Sequence, residues 1–372
     1  MNVFDPEILK GLFQSYSWLF NFSVLFVAGF LTYYFLSRVL WVAKKKNLYK
    51  DVNNRSSHSG QIPSLGGIAF YFVFILLVTV LQTAVGHSIG NHLIGAVTIM
   101  FMIGVKDDLV ISTARVKLVG QIMATMFIIF SPAMKLTSLG GFMGIYEIPG
   151  FLGYFITAFI IIAIVNSYNL IDGINGLAGI IGIVISAVYA MAFSLVKGYE
   201  FFVLLSLFSM GTLLAFLRYN FSRGAKKMFM GDSGSLMMGL IIGVLTINLL
   251  KINQPIDLIG PGGDPQLRLL FLGAVLFIPF FDTSRVMLVR LLNKRSPFDA
   301  DRNHLHHILL DLGLSHPQTS AILGAANLGI VVLYIFLSKY LTSIWLIVSL
   351  AAVYGLLFAV CGIAKREVTH RN

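Results

Sequence analysis

Four short segments carry residues whose types and spacing could do chemistry. "VKDDLV" (105–110) sets Asp107 beside Asp108, and "VNSYNLIDGINGLAG" (165–179) places Asn166, Asn169, Asp172 and Asn175 at intervals of three. "MFMGDSGS" (228–235) holds Asp232 between glycines and serines, and "RSPFDADRNHLHHIL" (295–309) gathers Asp299, Asp301, Arg302, His304, His306 and His307. Intervals of three align side chains on one face if the segment is helical. Carboxylates offer hard oxygen ligands or proton acceptors, carboxamides both donate and accept, and arginine with histidine suits phosphate oxygens.

Each segment also has an ordinary reading. Asp172 and Asp232 stand just ahead of apolar runs, where an acid caps a helix and complements its dipole. The Asp107–Asp108 pair could be a solvated turn, and the histidines a solvated face. His-x-His-His lacks the cysteines or the helical HExxH of the usual zinc sites. Taken together, the segments call for a cation. Two unit charges 4 Å apart repel by about 4 kcal/mol at an effective dielectric near 20. Mg²⁺, which takes one or two carboxylates plus substrate phosphates and retains waters, meets that need, with Mn²⁺ as the alternative. The composite points to diphosphate chemistry.

The elements that must position these residues are membrane spans. The 372 residues are 57% hydrophobic and 12% charged, with a mean hydropathy of +0.85. A soluble domain carries about twice that charged fraction. Apolar runs at 18–40, 65–85, 92–105, 116–131, 151–166, 176–196, 201–218, 233–250, 269–291, 321–338 and 343–363 predict an all-α polytopic membrane protein of about 11 transmembrane helices. The first run lacks a basic leader and a small-residue cleavage site, so it reads as a span rather than a removed signal. Most of the 27 Lys and Arg fall at alternate loops, in clusters such as Lys44–Lys46, Arg223–Lys227 and Arg290–Arg295. That bias predicts the N-terminus outside and the C-terminus in the cytoplasm, and it sets all four segments at the cytoplasmic face. The net charge of +11 then reflects topology and anionic headgroups, with no nucleic-acid partner. "LGGFMGIYEIP" (139–149) has turn glycines and alternating side chains, which predicts a short outer β-hairpin. With no repeat, low-complexity tract or linker, residues 1–372 read as a single domain. The single cysteine, Cys361, reads as a small buried hydrophobe.

These segments resemble the polyprenyl-phosphate N-acetylhexosamine-1-phosphate transferases. The family includes the enzymes that initiate O-antigen, enterobacterial common antigen and teichoic acid synthesis, and the MurNAc-pentapeptide transferase of peptidoglycan synthesis. The likeness runs nearly the length of the chain, through "NNRSSHSGQIPSLGGIAFY" (53–71), "KDDL", "NSYNLIDGINGLAG", "FLRYNF" with "FMGDSGS", "FIPFFDTSRV" (277–286) and "SPFDADRNHLHH". The last segment is similar to the GlcNAc-1-phosphate branch.

The resemblance implies a role for each position. Asp232 would ligate Mg²⁺ at the donor diphosphate, and Asp107 and Asp108 would hold or deprotonate the lipid phosphate. Asn166, Asn169, Asp172 and Asn175 would line the nucleotide pocket, with Asn220 nearby and Phe229 stacked on uracil. Arg302, His304, His306 and His307 would contact sugar and phosphate, with Lys117, Arg55 and His58 as further phosphate contacts. Asp282 is expected near a helix kink at Pro279, in a structural or a functional role. Two positions depart from the family. Ile111 stands where a third acid is common, and Asn175 replaces the second acid of the usual DGxDG. A carboxamide can still read a uracil edge, but it brings no charge to a metal.

The implied reaction transfers N-acetylhexosamine 1-phosphate, with GlcNAc preferred, from a UDP-sugar to undecaprenyl phosphate at the inner-membrane surface, releasing UMP. UDP-GalNAc and UDP-MurNAc-pentapeptide are alternative donors, and a homodimer is open. A cation-coupled transporter is the main rival from another class, and a membrane scaffold a weaker one. Transporters place coupling acids near the bilayer midplane, whereas these acids fall at span ends.

Overall fold

In hydrocarbon an apolar run has one open-chain solution, a helix that satisfies its own backbone. The computed structural model describes residues 17–48, 62–85, 87–110, 112–131, 134–297 and 303–371, and no strand occurs among them. The helices are α1 (Ser17–Lys45), α2 (Gly66–Val85), α3 (Ile89–Leu109), α4 (Ala114–Ile129), α5 (Gly150–Leu170), α6 (Leu177–Ser194) and α7 (Glu200–Asn220). They continue with α8 (Gly231–Leu250), α9 (Arg268–Val275), α10 (Phe277–Leu292), α11 (Leu305–Asp311), α12 (His316–Leu337) and α13 (Ser343–Arg371).

Among the described residues, nine of these helices are long and apolar enough to cross a membrane, or ten spans if the bent α9–α10 pair counts as one. The expected fourth span, 116–131, corresponds to α4, which has 16 residues and falls short of the roughly 20 a full crossing needs. The third and fifth spans are longer than their apolar runs, at 21 residues each. Both helices continue for about one more turn into polar sequence, and that turn carries Asp107 and Asp108 in α3 and Asn169 in α5.

The expected outer β-hairpin is absent. Residues 139–149 instead form one 3₁₀ turn, Phe142–Gly144, with Gly140, Gly141, Met143 and Gly144 all at positive φ. Ile148 N–H does donate to Thr137 O across the reversal (2.8 Å), but left-handed residues cannot sustain the extended ladder a hairpin needs.

The centre of the bundle is α8. A helix apolar on every side belongs in the interior, and every residue from Ser233 to Leu250 is buried. It packs against α2, α3, α5, α6, α7 and α9, while α1 and α12 lie outside that ring, against α7 and α6. Close approach is set at Gly104 of α3, where a Cβ would come within 2.8 Å of the Asp232 carbonyl carbon. The N-terminus of α8 is thereby pressed onto the C-terminal turn of α3.

Between α9 and α10 the chain bends by 69°. The bend is at Leu276, six residues before Asp282, so the kink expected beside Asp282 lies further up the helix. A break inside a buried helix strands backbone groups. Asn327 of α12 satisfies two of them: its Oδ1 accepts from Ile278 N–H (3.1 Å) and its Nδ2 donates to Val275 O (3.0 Å). Asn327→Leu should therefore leave both unpaired, at about 2–4 kcal/mol. A lower melting temperature in detergent checks this; an unchanged one would show that the bend does not need the amide.

Candidate active site

Two carboxylates at the last turn of α3 lie at the negative end of that helix dipole, an unfavourable place for acids. Each is compensated by a different partner. Asp108 Oδ1 accepts from Asp232 N–H (2.8 Å), and its Oδ2 accepts from Ser233 N–H (3.0 Å) and Ser233 Oγ–H (2.6 Å). A carboxylate from α3 thus caps the positive end of α8. The cap position of α8 itself, Met230, gives no side-chain bond. Asp107 Oδ1 accepts from Ser112 N–H (2.7 Å), and its Oδ2 pairs with Lys117 Nζ (2.9 Å).

With Asp108 acting as the cap, Asp232 is free of that task. Its Oδ2 pairs with the same Lys117 ammonium, and its Oδ1 faces Asn169 Nδ2 at 3.4 Å. Asn169 also donates to Ser235 Oγ (2.7 Å). The two acids, Asp107 and Asp232, therefore converge on one cation. Gly231 makes this possible: φ is +74°, and a Cβ would lie 2.5 Å from Asp108 Oδ2 and run into Ser64 O. The space that Gly231 clears is filled by the protein's own cap rather than left for a ligand.

Asn166 and Asn169 share the end of α5, but the helix stops at Leu170, so Asp172 and Asn175 belong to the following turn rather than to one helical face. Asn166 is locked in a reciprocal amide pair with Gln121, donating to its Oε1 (2.8 Å) and accepting from its Nε2 (3.2 Å). Asn220 Oδ1 accepts from Gly176 N–H (2.5 Å) and its Nδ2 donates to Met228 O (3.0 Å), bracing the Asp172–Gly176 turn against the segment before Asp232. Asn175 O accepts from Ser320 of α12, while its side-chain Oδ1 is buried without a hydrogen-bond partner. Phe229 is half-buried with Lys227 Nζ 5.5 Å from its ring centre, its backbone pinned to Pro63 and Gly66.

The histidine segment closes the other side. His304 Nδ1 lies 2.8 Å from Asp282 Oδ2, and its ring stacks on His306, which in turn meets His307. His306 is buried over the Asp172–Gly176 turn, where a Cβ on Gly173 would come within 2.8 Å of its Cε1. Burial pushes the His306 imidazole down to about 3, so it is neutral at physiological pH. Arg302, Asp299, Asp301, Arg55, His58 and Ile111 lie outside the described residues. The structure brings Asp107, Asp108, Lys117, Asn169 and Asp232 into one hydrogen-bonded network, with Asp172 close by. His306 joins the cluster through Gly173, and Asn166 and Asn220 act as braces. Gln121, Ser233 and Ser235 were missed by sequence reasoning. The signal for Gln121 was a polar residue inside an apolar run, which in a membrane is rarely idle.

Asp172 is half-buried, and burial together with Asp232 and Asp108 holds its carboxyl well above the usual carboxylate range. The sign of the pH effect follows. An acid whose folded-state value is raised binds its proton better folded than unfolded, so from about pH 4 upward its ionisation removes stability. Asp172→Asn should melt at the same temperature as the parent near pH 4 and above it near pH 8, both measured in detergent with chelator. A variant less stable than the parent at the higher pH would contradict this.

The acids fit Mg²⁺ by their chemistry. Among the described residues no set of three or more His, Cys, Asp or Glu is arranged to hold a metal. Yet Asp107 and Asp232 offer hard oxygens to a shared positive centre. One or two carboxylates, completed by phosphate and water, is how Mg²⁺ binds.

The chain is similar to known proteins over most of its length. The family described as glycosyl transferase family 4 matches residues 91–250, the stretch from α3 through α8 that contains Asp107, Asp108, Asp172 and Asp232. A Bacillus subtilis (strain 168) protein named "Probable undecaprenyl-phosphate N-acetylglucosaminyl 1-phosphate transferase" is 30% identical over 79% of this chain and 78% of its own length. The undecaprenyl-phosphate alpha-N-acetylglucosaminyl 1-phosphate transferase of Escherichia coli (strain K12) is 27% identical over 77% of this chain and 75% of its own. The protein of that name from Yersinia pestis is 26% identical over 93% and 89%. From the likeness across most of both chains, the protein belongs to glycosyl transferase family 4.

Proposed function

We propose that this membrane protein transfers GlcNAc 1-phosphate from UDP-GlcNAc to undecaprenyl phosphate, releasing UMP. The observation that carries the reading is the convergence of Asp107 and Asp232 on Lys117 beside the Asp172–Gly176 turn, at one end of the bundle. The names of the relatives supply the lipid and the sugar phosphate.

In this reading an oxygen of the lipid phosphate attacks the β-phosphorus of the donor, and the bond to the UMP oxygen breaks. Phosphoryl transfer asks the protein mainly for positioning and charge neutralisation. Bound Mg²⁺ supplies charge neutralisation at the diphosphate. Asp232 and Asp107 hold that charge in place, and Lys117 adds a mobile ammonium that can turn from the carboxylates to a phosphate oxygen. Asp108 acts by orienting the first turn of α8. Asn175, with its buried acceptor lacking a partner, and Phe229 form the nucleobase side. Neutral His306 and its neighbours His304 and His307 bound the phosphate side, with Arg302 assigned there by sequence.

Acids at helix ends favour surface chemistry over a transport pathway through the midplane. The site face is cytoplasmic in the inner membrane by the distribution of basic residues, with the N-terminus outside and the C-terminus inside. The test is transfer from a panel of UDP-sugars by the purified protein with undecaprenyl phosphate. UDP-GlcNAc should be used best, and a preference for UDP-GalNAc or UDP-MurNAc-pentapeptide would replace the donor while keeping the reaction. No transfer from any of them would refute the reading.

A further inference from the structure

Helix α10 has a polar face that the proposed reaction does not use. Asp282, Arg285 and Arg290 are all buried, and at these spacings they project toward the segment that leads to the histidines. Arg290 donates to Pro297 O (2.6 Å), and Arg285 to Asn303 O. Asp282 is 1% exposed. Its Oδ1 accepts from Leu305 N–H (2.7 Å) and lies 3.6 Å from Arg285, and its Oδ2 lies 2.8 Å from His304 Nδ1. Both carboxylate oxygens are thus committed to the turn that starts α11.

A carboxylate can only accept, so the His304 nitrogen facing it must carry the proton. That leaves Nε2 as the ring's other polar atom. Carboxylate partners of working histidines commonly set tautomer and orientation in this way. We propose that Asp282 is a positioning residue for His304, fixing the Nδ1–H form and one ring orientation so that Nε2 is the nitrogen offered to the donor phosphates. The assignment rests on the transfer reading for what Nε2 meets; the orientation itself rests on the geometry alone. Among the described residues, His304 faces Asp282 of α10, which Arg285 flanks, and stacks on His306 of α11, with His307 beyond it. The last helix brings Lys365 to Asn303 and sets Cys361 within the field of Asp282 and Arg285.

The experiment compares the parent with Asp282→Asn, His304→Ala and the double variant, measuring kcat and KM for UDP-GlcNAc together with melting temperature. Asp282→Asn should lower kcat by about 10–100-fold with KM for the donor little changed. In the His304→Ala background the same substitution should cost nothing further. Equal losses in both backgrounds would make Asp282 a structural brace only and overturn the proposal. If Asp282→Asn does not fold, the parent still decides. Nitrogen-15 histidine spectra near about pH 8, with His304 assigned by its loss in His304→Ala, should show a proton on Nδ1, and a neutral ring protonated only on Nε2 overturns the orientation. A parent that transfers no sugar phosphate would sink the reaction while leaving that spectral result to stand or fall by itself.

Discussion

Asp232→Asn is expected to yield a protein as stable as the parent with transfer reduced by at least about a hundredfold. Asparagine caps a helix about as well as aspartate, so if capping were the task of this residue, the change would be silent. The structure gives the cap to Asp108, and Asp232 turns to Lys117 and Asn169 instead. An amide can still meet Lys117 through its oxygen, but it brings no charge to Mg²⁺ or to the phosphorus under attack. Preorganised electrostatic groups of this kind are commonly worth about 3–4 kcal/mol in the transition state. The loss should appear as a fall in kcat and a weaker response to added Mg²⁺, at an unchanged melting temperature. Near-parental activity in the purified variant would remove Asp232 from the chemistry.

Asp108→Asn should behave differently, losing stability and activity together. The carboxylate accepts three bonds from Asp232 and Ser233 in a site where Asp108 is 5% exposed. An amide keeps one acceptor oxygen and turns an N–H toward donors. At least one buried donor is then left unpaired, at about 1–3 kcal/mol. The first turn of α8 also loses the charge that complements its dipole, so Asp232 moves with it and transfer falls as well. Thermal melting and a transfer assay on the same preparation check this. A variant with parental stability would show that α8 needs no cap from α3.

Much of the fold can be read from hydropathy because, in a membrane, an apolar run has few alternatives. The runs predicted where α1 to α3 and α5 to α8 would be. The readable signal stopped where function begins, since α3 and α5 each continue one turn into acids and amides that interrupt the apolar pattern. The 139–149 hairpin failed for a local reason: alternation suggested a strand, but clustered left-handed residues coil the chain into a single turn. The bend at Leu276 is stabilised by Asn327, 51 positions later in the sequence, so no local rule announces it.

The site divides in the same way. That acids and amides would gather at one end followed from span ends and basic loops. Which acid does which task did not, because the cap of α8 comes from another helix. The sequence offers Asp232 both as a cap and as a metal ligand and sets Asp108 at the lipid phosphate, and the structure gives the cap to Asp108. Asn166 and Asn220 also looked like nucleotide contacts, yet their amides are occupied by Gln121, Gly176 and Met228. Among the asparagines expected at the nucleotide pocket, Asn175 has a buried acceptor without a hydrogen-bond partner.

The central claim is transfer at the β-phosphorus, and a doubly labelled donor tests it most directly. UDP-GlcNAc carrying one label in the sugar and another in the β-phosphate would be incubated with purified protein, Mg²⁺ and undecaprenyl phosphate. Both labels should enter the lipid fraction in equal proportion, with UMP as the nucleotide released. Sugar label in the lipid without phosphate label, with UDP released, would mean that the glycosidic bond was broken instead, and would contradict the account.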